Sequence, residues 1–141
     1  MYLADTGLFV TLAFMDSDYS DNTIYAKLLT DKLPADLGFV YENAVAQLLR
    51  SAGHSLYYNT FKARIDDNLR DNWYEIDFLI SRRDKICPIE VKSSGYKSHR
   101  SLDEFSKKYS SRINQAYLIY TRDLRKENGI VYLPIYMTGF L

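Results

Sequence analysis

Tyr74-Glu75-Ile76-Asp77-Phe78-Leu79-Ile80 and Ile86-Cys87-Pro88-Ile89-Glu90-Val91-Lys92 are the two stretches that decide how this chain folds. In both, β-branched and aromatic residues alternate with polar ones, the period-two pattern of half-buried strands. Between them, Ser81-Arg82-Arg83-Asp84-Lys85 is short and polar, suited to a hairpin connection. With Arg83-Asp84 as the tight turn, facing residues have numbers that sum to 167, so Asp77 faces Glu90 and Glu75 faces Lys92. Opposed residues of an antiparallel pair hold their Cβ atoms about 4.5–5.5 Å apart, close enough for two carboxylates to share one divalent cation. Glu90 and Lys92 are two apart and share a face. Ile76, Phe78, Ile80, Ile89 and Val91 are expected on the other face, as core. A slip of one residue would mix polar with apolar throughout, so the pattern itself fixes the register.

Working outward, the clearest helix runs from Pro34 to Gly53, with glycine as its stop. At helical spacing Val40, Tyr41, Ala44, Val45, Leu48, Leu49 and Ala52 fall on one face, and Glu42 lies just past its edge. Upstream, Asp5-Thr6 is placed to cap a helix through Gly7–Met15. Asp16–Asn22 reads as a loop and Thr23–Lys32 as a short helix. Ser55–Phe61 is a strand candidate and Lys62–Trp73 a long polar hairpin connection. Downstream, Ser101–Tyr109 reads as a helix with Leu102, Phe105 and Tyr109 on one side, and Gln115–Thr121 and Ile130–Pro134 as strands. The order predicts an α/β domain whose helices cover a central mixed sheet. No repeat, low-complexity tract or composition break divides it, so residues 1–141 read as one domain with residues 1–35 a helical lead-in. Most of the 13 tyrosines sit in strand-like stretches (57, 58, 74, 117, 120, 132 and 136) and are expected as core or half-core. Tyr96 and Tyr109, inside a basic block, are the two candidates for stacking.

Composition limits the chemistry. One cysteine excludes an intrachain disulfide framework and a thiolate zinc cluster, and His54 and His99 are far apart in sequence. Any metal is therefore expected to be hard and held by oxygen. No segment has the apolar length to span a bilayer and the first residues carry no basic leader, which predicts a cytoplasmic protein. The net charge is zero but uneven: residues 1–81 hold 6 Lys+Arg against 12 Asp+Glu, and residues 82–112 hold 9 against 4. The basic block begins beside the paired acids, as a phosphate-contacting rim around an acidic site would.

With Asp77, Glu90-Val91-Lys92 and an acidic residue on a preceding helix in view, the chain resembles the PD-(D/E)XK superfamily. Within it, the chain resembles domain of unknown function 4143, which in prokaryotes follows an AAA-type ATPase module. Four stretches carry the resemblance in order: Tyr2–Leu8, Gly38-Phe39-Val40-Tyr41-Glu42-Asn43, Glu75-Ile76-Asp77-Phe78, and Pro88-Ile89-Glu90-Val91-Lys92-Ser93-Ser94. The resemblance implies a restriction-endonuclease-like fold and a magnesium- or manganese-dependent phosphodiester hydrolase acting on DNA. It implies that Asp77, Glu90 and the Val91 backbone carbonyl hold the metal, that Lys92 assists the attacking water, and that Glu42 reaches in from its helix. Lys97, Arg100, Lys107 and Lys108 would form the nucleic-acid rim. The phosphate-binding glycine loop of the ATPase module is not in this sequence, so no ATP hydrolysis is expected of it. The competing expectation is a catalytically silent nuclease fold that binds DNA or a protein partner and regulates the ATPase. An ion pair of Lys92 with Glu90 or Asp77 is the simplest non-catalytic use of the same residues.

Overall fold

A computed structural model describes residues 2–13, 38–64 and 71–141. The loop expected at Asp16–Asn22 and the helix at Thr23–Lys32 lie outside these residues. The described chain runs α1 (Thr6–Ala13), α2 (Gly38–Ser51), β1 (Tyr57–Arg64), β2 (Asp71–Arg82), β3 (Lys85–Val91), α3 (Arg100–Lys108), β4 (Ala116–Tyr120), β5 (Arg125–Glu127) and β6 (Ile130–Pro134). A 3-10 turn follows α3 at Ser110–Arg112 and another closes the chain at Ile135–Phe140.

The six strands form one mixed sheet in the order β1-β2-β3-β4-β6-β5. β1, β2 and β3 are antiparallel neighbours, β3, β4 and β6 run parallel, and β5 returns antiparallel on β6. Helices cover both faces. On one, Val45 and Leu49 of α2 pack on Phe78, Ile80, Ile89 and Ile119. On the other, Leu102 and Phe105 of α3 pack on Phe61, Ile76, Leu118 and Tyr132. Every residue of β4 is buried, as parallel strands covered on both sides require. The α/β architecture with flanking helices is thus the one the sequence predicts. Among the described residues no helix is long and apolar enough to cross a membrane.

Local chemistry sets the element ends. Asp5 Oδ1 accepts from the Leu8 N–H at 2.9 Å, capping α1 as expected. Helix α2 ends in a Schellman pair, with His54 N–H donating to the Leu49 carbonyl and Gly53 N–H to that of Arg50. Gly53 supplies the φ of +92° this closure needs. The β2–β3 hairpin pairs Arg82 with Lys85 across a two-residue turn, Arg83 taking the left-handed φ of 56° that such turns favour.

The structure corrects four expectations. Lys62–Arg64 and Asp71–Trp73 are strand rather than connection, in the register Lys62↔Trp73, Ala63↔Asn72 and Arg64↔Asp71. Polar cross-strand pairs hold this end: Lys62 Nζ lies 4.8 Å from the Trp73 ring centre, and Arg64 Nε lies 3.6 Å from Asp71 Oδ1. β5 also escaped notice, although the Asn128-Gly129 pair, with φ of 48° and 80°, is the hairpin signal that announces it. Tyr57, Tyr58 and Tyr136 are exposed, because they lie on an edge strand or past the last strand. Lastly, Ile76 does not share a face with Phe78 and Ile80 but packs under α3.

Helix α2 buries Asn43, Val45, Ala46 and Leu49, while Ala52 is exposed. Asn43 is 1% exposed, and the apolar pattern passed over it. Its side chain brackets the lead-in: Oδ1 accepts from Leu3 N–H at 2.7 Å, and Nδ2 donates to the Leu3 carbonyl and Thr6 Oγ1, both at 3.1 Å. Gln47 Oε1 accepts from Thr6 Oγ1 at 2.8 Å, one turn further along. Asn43→Ala is expected to cost about 1–3 kcal/mol, since it strands buried polar partners, read by chemical denaturation. A loss under about 0.5 kcal/mol, the scale of an ordinary surface change, would show that the clamp is dispensable.

Candidate functional site

The expected register holds from Arg82↔Lys85 to Phe78↔Ile89, each pair summing to 167, and there the β2–β3 ladder ends. The expected next pairs, Asp77 with Glu90 and Glu75 with Lys92, do not form as ladder pairs. The cause lies on the other edge of β2. Tyr57 faces Leu79 and Asn59 faces Ile76, so a two-residue step on β1 spans three on β2. That extra residue is a β-bulge at Asp77–Phe78, and it reverses which face the following side chains occupy. This is why Ile76 packs under α3 and Phe78 under α2. Glu75 instead faces Thr60 of β1 and is exposed.

At the bulge the Asp77 side chain takes over the pairing. Its Oδ2 accepts from the Val91 N–H at 2.7 Å, joining the two strands where their ladder stops. On β3, Glu90 alternates with Ile89 and Val91 and is 5% exposed. Lys92 donates to Glu90 Oε1 at 2.9 Å, whereas Glu90 Oε2 is buried without a hydrogen-bond partner among the described residues. The Lys92 backbone N–H goes to Ile119 of β4 at 2.8 Å, continuing the parallel pairing.

Electrostatics tie Glu42 to this group. Burial pushes the Asp77 carboxyl up, the Val91 N–H pulls it down, Glu42 and Glu90 push it up and Lys92 pulls it down, leaving it at about 7. For Lys92, burial pulls the ammonium down. The hydrogen bond and charge of Glu90, followed by Asp77 and Glu42, outweigh that and leave it raised. The structure therefore brings Glu42, Asp77, Glu90 and Lys92 into one neighbourhood. Sequence reasoning missed a fifth member, Tyr2. Its ring lies 5.2 Å from that of Phe78. Burial, then Glu42, Asp77 and Glu75, push its hydroxyl up to about 12. The Asn43 clamp on Leu3 is what holds Tyr2 there, and a polar residue at a core position of α2 was the only hint.

The donor set suits a hard cation: carboxylate oxygens, one of them buried with no hydrogen-bond partner among the described residues. Among the described residues no three His, Cys, Asp or Glu side chains gather as a metal-holding group, so Glu42 contributes here through its charge. The expected rim is divided. Lys97 and Arg100 are exposed, but Lys107 pairs with Glu104 at 2.7 Å. Lys108 donates to the Lys62 carbonyl at 3.0 Å and lies over the Phe61 and Tyr109 rings. Those contacts make Lys108 a brace between α3 and β1. A groove of about 850 Å³ runs along α3 past Lys97, His99, Arg100 and Gln115. None of Glu42, Asp77, Glu90 or Lys92 lines it, and His99 within it is held between Asp103 and Tyr132.

A carboxyl with a higher pKa folded than unfolded favours the folded state while protonated. Asp77 therefore lends stability below its unfolded value of 3.8, and that contribution is lost as pH rises toward about 7. Asp77→Asn keeps an acceptor for the Val91 N–H and removes the titration. The variant should gain on the wild type by up to about 4 kcal/mol between pH 4 and pH 8, about half that after solvent screening. Chemical denaturation across this range checks it; a stability difference that does not change with pH contradicts it.

A search of curated proteins finds no match. Among solved structures, the chain is similar to protein VC1899 from Vibrio cholerae, at a TM-score of 0.47 and 14% identity. That alignment covers 95% of this chain and 40% of the other, so the chain spans less than half the length of that protein. The family model for a domain of unknown function (DUF4143) matches residues 37–137, from the start of α2 to the final 3-10 turn and across every strand of the sheet. The chain belongs to the DUF4143 family.

Proposed function

We propose that this domain is a magnesium-dependent phosphodiester hydrolase acting on DNA, with a PD-(D/E)XK site on a restriction-endonuclease-like sheet. The observation that carries this reading is the pair of acids at the end of the β2–β3 ladder. Asp77 is fixed by the Val91 N–H, and Glu90 is fixed through Oε1 with Oε2 buried and unpartnered among the described residues. A buried carboxylate oxygen with no donor is costly unless it has a use. Asp77, Glu90 and the Val91 carbonyl would hold the magnesium or manganese ion, which when bound neutralises charge at the phosphate and lowers the pKa of a water.

The chain's own residues supply the rest. Lys92 stays protonated beside Glu90, Asp77 and Glu42, so it serves as a hydrogen-bond donor and positive charge rather than as a base. In that form it orients the attacking water and stabilises the oxygen on which negative charge develops. Glu42, from the rim of α2, adds to the field that keeps Lys92 charged. Lys97, on the segment after β3, and Arg100, the first residue of α3, stand exposed to meet a phosphate backbone leaving the site. We place the domain after an AAA-type ATPase module in a longer protein, and assign it no ATP hydrolysis of its own.

A second reading has its own support. The Glu90–Lys92 pair already neutralises one acid, and Leu8, Leu12 and Phe39 expose large apolar side chains on α1 and α2. These features suit a silent nuclease fold that docks a partner. Incubating the wild type and Asp77→Ala with linear, nicked and single-stranded DNA in magnesium, then manganese, separates the two. The hydrolase reading expects cleavage that falls by about 100-fold or more in the variant. No wild-type cleavage in either ion, or cleavage indifferent to Asp77, sinks it. Manganese should also raise the melting temperature of the wild type and not of Glu90→Gln, because a ligand that binds only the folded state stabilises it.

A further inference from the structure

From the segment after β3 past the carboxyl end of β4 to the middle of β6, three tyrosines form a continuous row. Tyr96, in the segment between β3 and α3, lies edge-on to Tyr120 at 5.4 Å between ring centres. Tyr120 lies 5.7 Å from Tyr132 of β6. Two guanidinium groups cover this row. Arg122 sits 4.8 Å from the Tyr96 ring centre, and Arg125 sits 4.1 Å from that of Tyr132 and 5.7 Å from that of Tyr96. The loop that carries Arg122 is pinned, because the Tyr120 hydroxyl donates to the Asp123 carbonyl. Arg122 makes no ion pair among the described residues, while Arg125 has Glu127 Oε2 at 3.4 Å.

We propose that Arg122 and Arg125, stacked on Tyr96 and Tyr132, form a phosphate-binding subsite that receives the sugar-phosphate backbone of a nucleic acid next to the Asp77–Glu90–Lys92 site. The proposal rests on the phosphodiesterase reading for the identity of its ligand. A guanidinium whose face lies on a ring keeps its edge N–H groups outward, and ring contact pre-orients a side chain that otherwise loses much rotamer freedom on binding. Those edge donors match two phosphate oxygens at once.

Position links the subsite to the acids. Lys92 follows the last residue of β3, and Arg122 comes two residues after the last of β4. The two strands are paired through Val91↔Ile119, and paired strands lie about 4.8 Å apart. Ligands of open α/β sheets bind outside the carboxyl ends of the parallel strands, where Lys92 and Arg122 stand. Because guanidinium groups already occupy the Tyr96 ring, it is no platform for bases, so recognition falls on the backbone and is indifferent to sequence.

Fluorescence anisotropy with a labelled single strand and its duplex, in EDTA so that nothing is cleaved, tests this apart from catalysis. Arg122→Gln should weaken binding by about 3–10-fold and reduce the slope of log K against log salt by about 0.7–0.9. Arg122→Gln with Arg125→Gln should weaken it further, equally for strands of different base composition. Lys85→Gln, at the far end of β3, should bind as the wild type does. Failure of the wild type to bind, or a double variant with unchanged affinity and slope, overturns the subsite. Arginine-dependent binding with no cleavage upholds the subsite and removes the hydrolase reading; cleavage with arginine-independent binding does the reverse.

Discussion

The hydrogen bond from the Val91 N–H to Asp77 Oδ2, 2.7 Å long, is the interaction on which the rest of this site depends. It stands where β2 can no longer pair with β3 by backbone alone, because the bulge has inserted an extra residue opposite β1. A hydrogen bond to a charged acceptor is worth about 1.5–3 kcal/mol net, and here it opposes the burial and the Glu42 and Glu90 charges that push the Asp77 carboxyl up. The same bulge redirects the apolar side chains. Tyr74 and Ile76 feed the core under α3, and Phe78 and Ile80 feed the core under α2. One irregularity thus switches the face to which the even-numbered residues of β2 turn, and it presents an acid at the switch.

Around that bond the domain gathers charge it does not fully neutralise. Glu42, Asp77 and Glu90 all act on the Lys92 ammonium, and burial, with the Glu42 and Glu90 charges added, leaves Asp77 at about 7. Such a cluster is a poor way to stabilise a fold, since buried acids cost several kcal/mol unless they are paired. In the proposed hydrolase the same cluster prepares a place for a cation, which would relieve that repulsion. The apolar cores on either side supply the stability that lets the cluster persist, and the Asn43 clamp adds the lead-in and Tyr2 to its wall.

The hairpin register from Arg82↔Lys85 to Phe78↔Ile89 and both flanking helices were legible because each follows from short-range periodicity. A two-residue turn propagates its register residue by residue, and Gly53 ends α2 by a local backbone need. The bulge was not legible, because it appears only when β1 is laid beside β2, and nothing within Glu75–Phe78 announces an extra residue. The same holds for Asn43, whose partners lie about 40 positions away, and for Lys62–Arg64, where ion and cation–π pairs replace apolar alternation. The Tyr96–Arg122–Arg125 cluster joins three separate segments, so its members read individually as surface residues.

A crystal of the domain soaked in manganese, with anomalous differences measured at the metal edge, tests the central claim most directly. The account predicts one peak bound by Asp77, by Glu90 through Oε2 and by the Val91 carbonyl, with Lys92 close by. A map with no peak there, and with Glu90 still closed on Lys92 at saturating manganese, would contradict it.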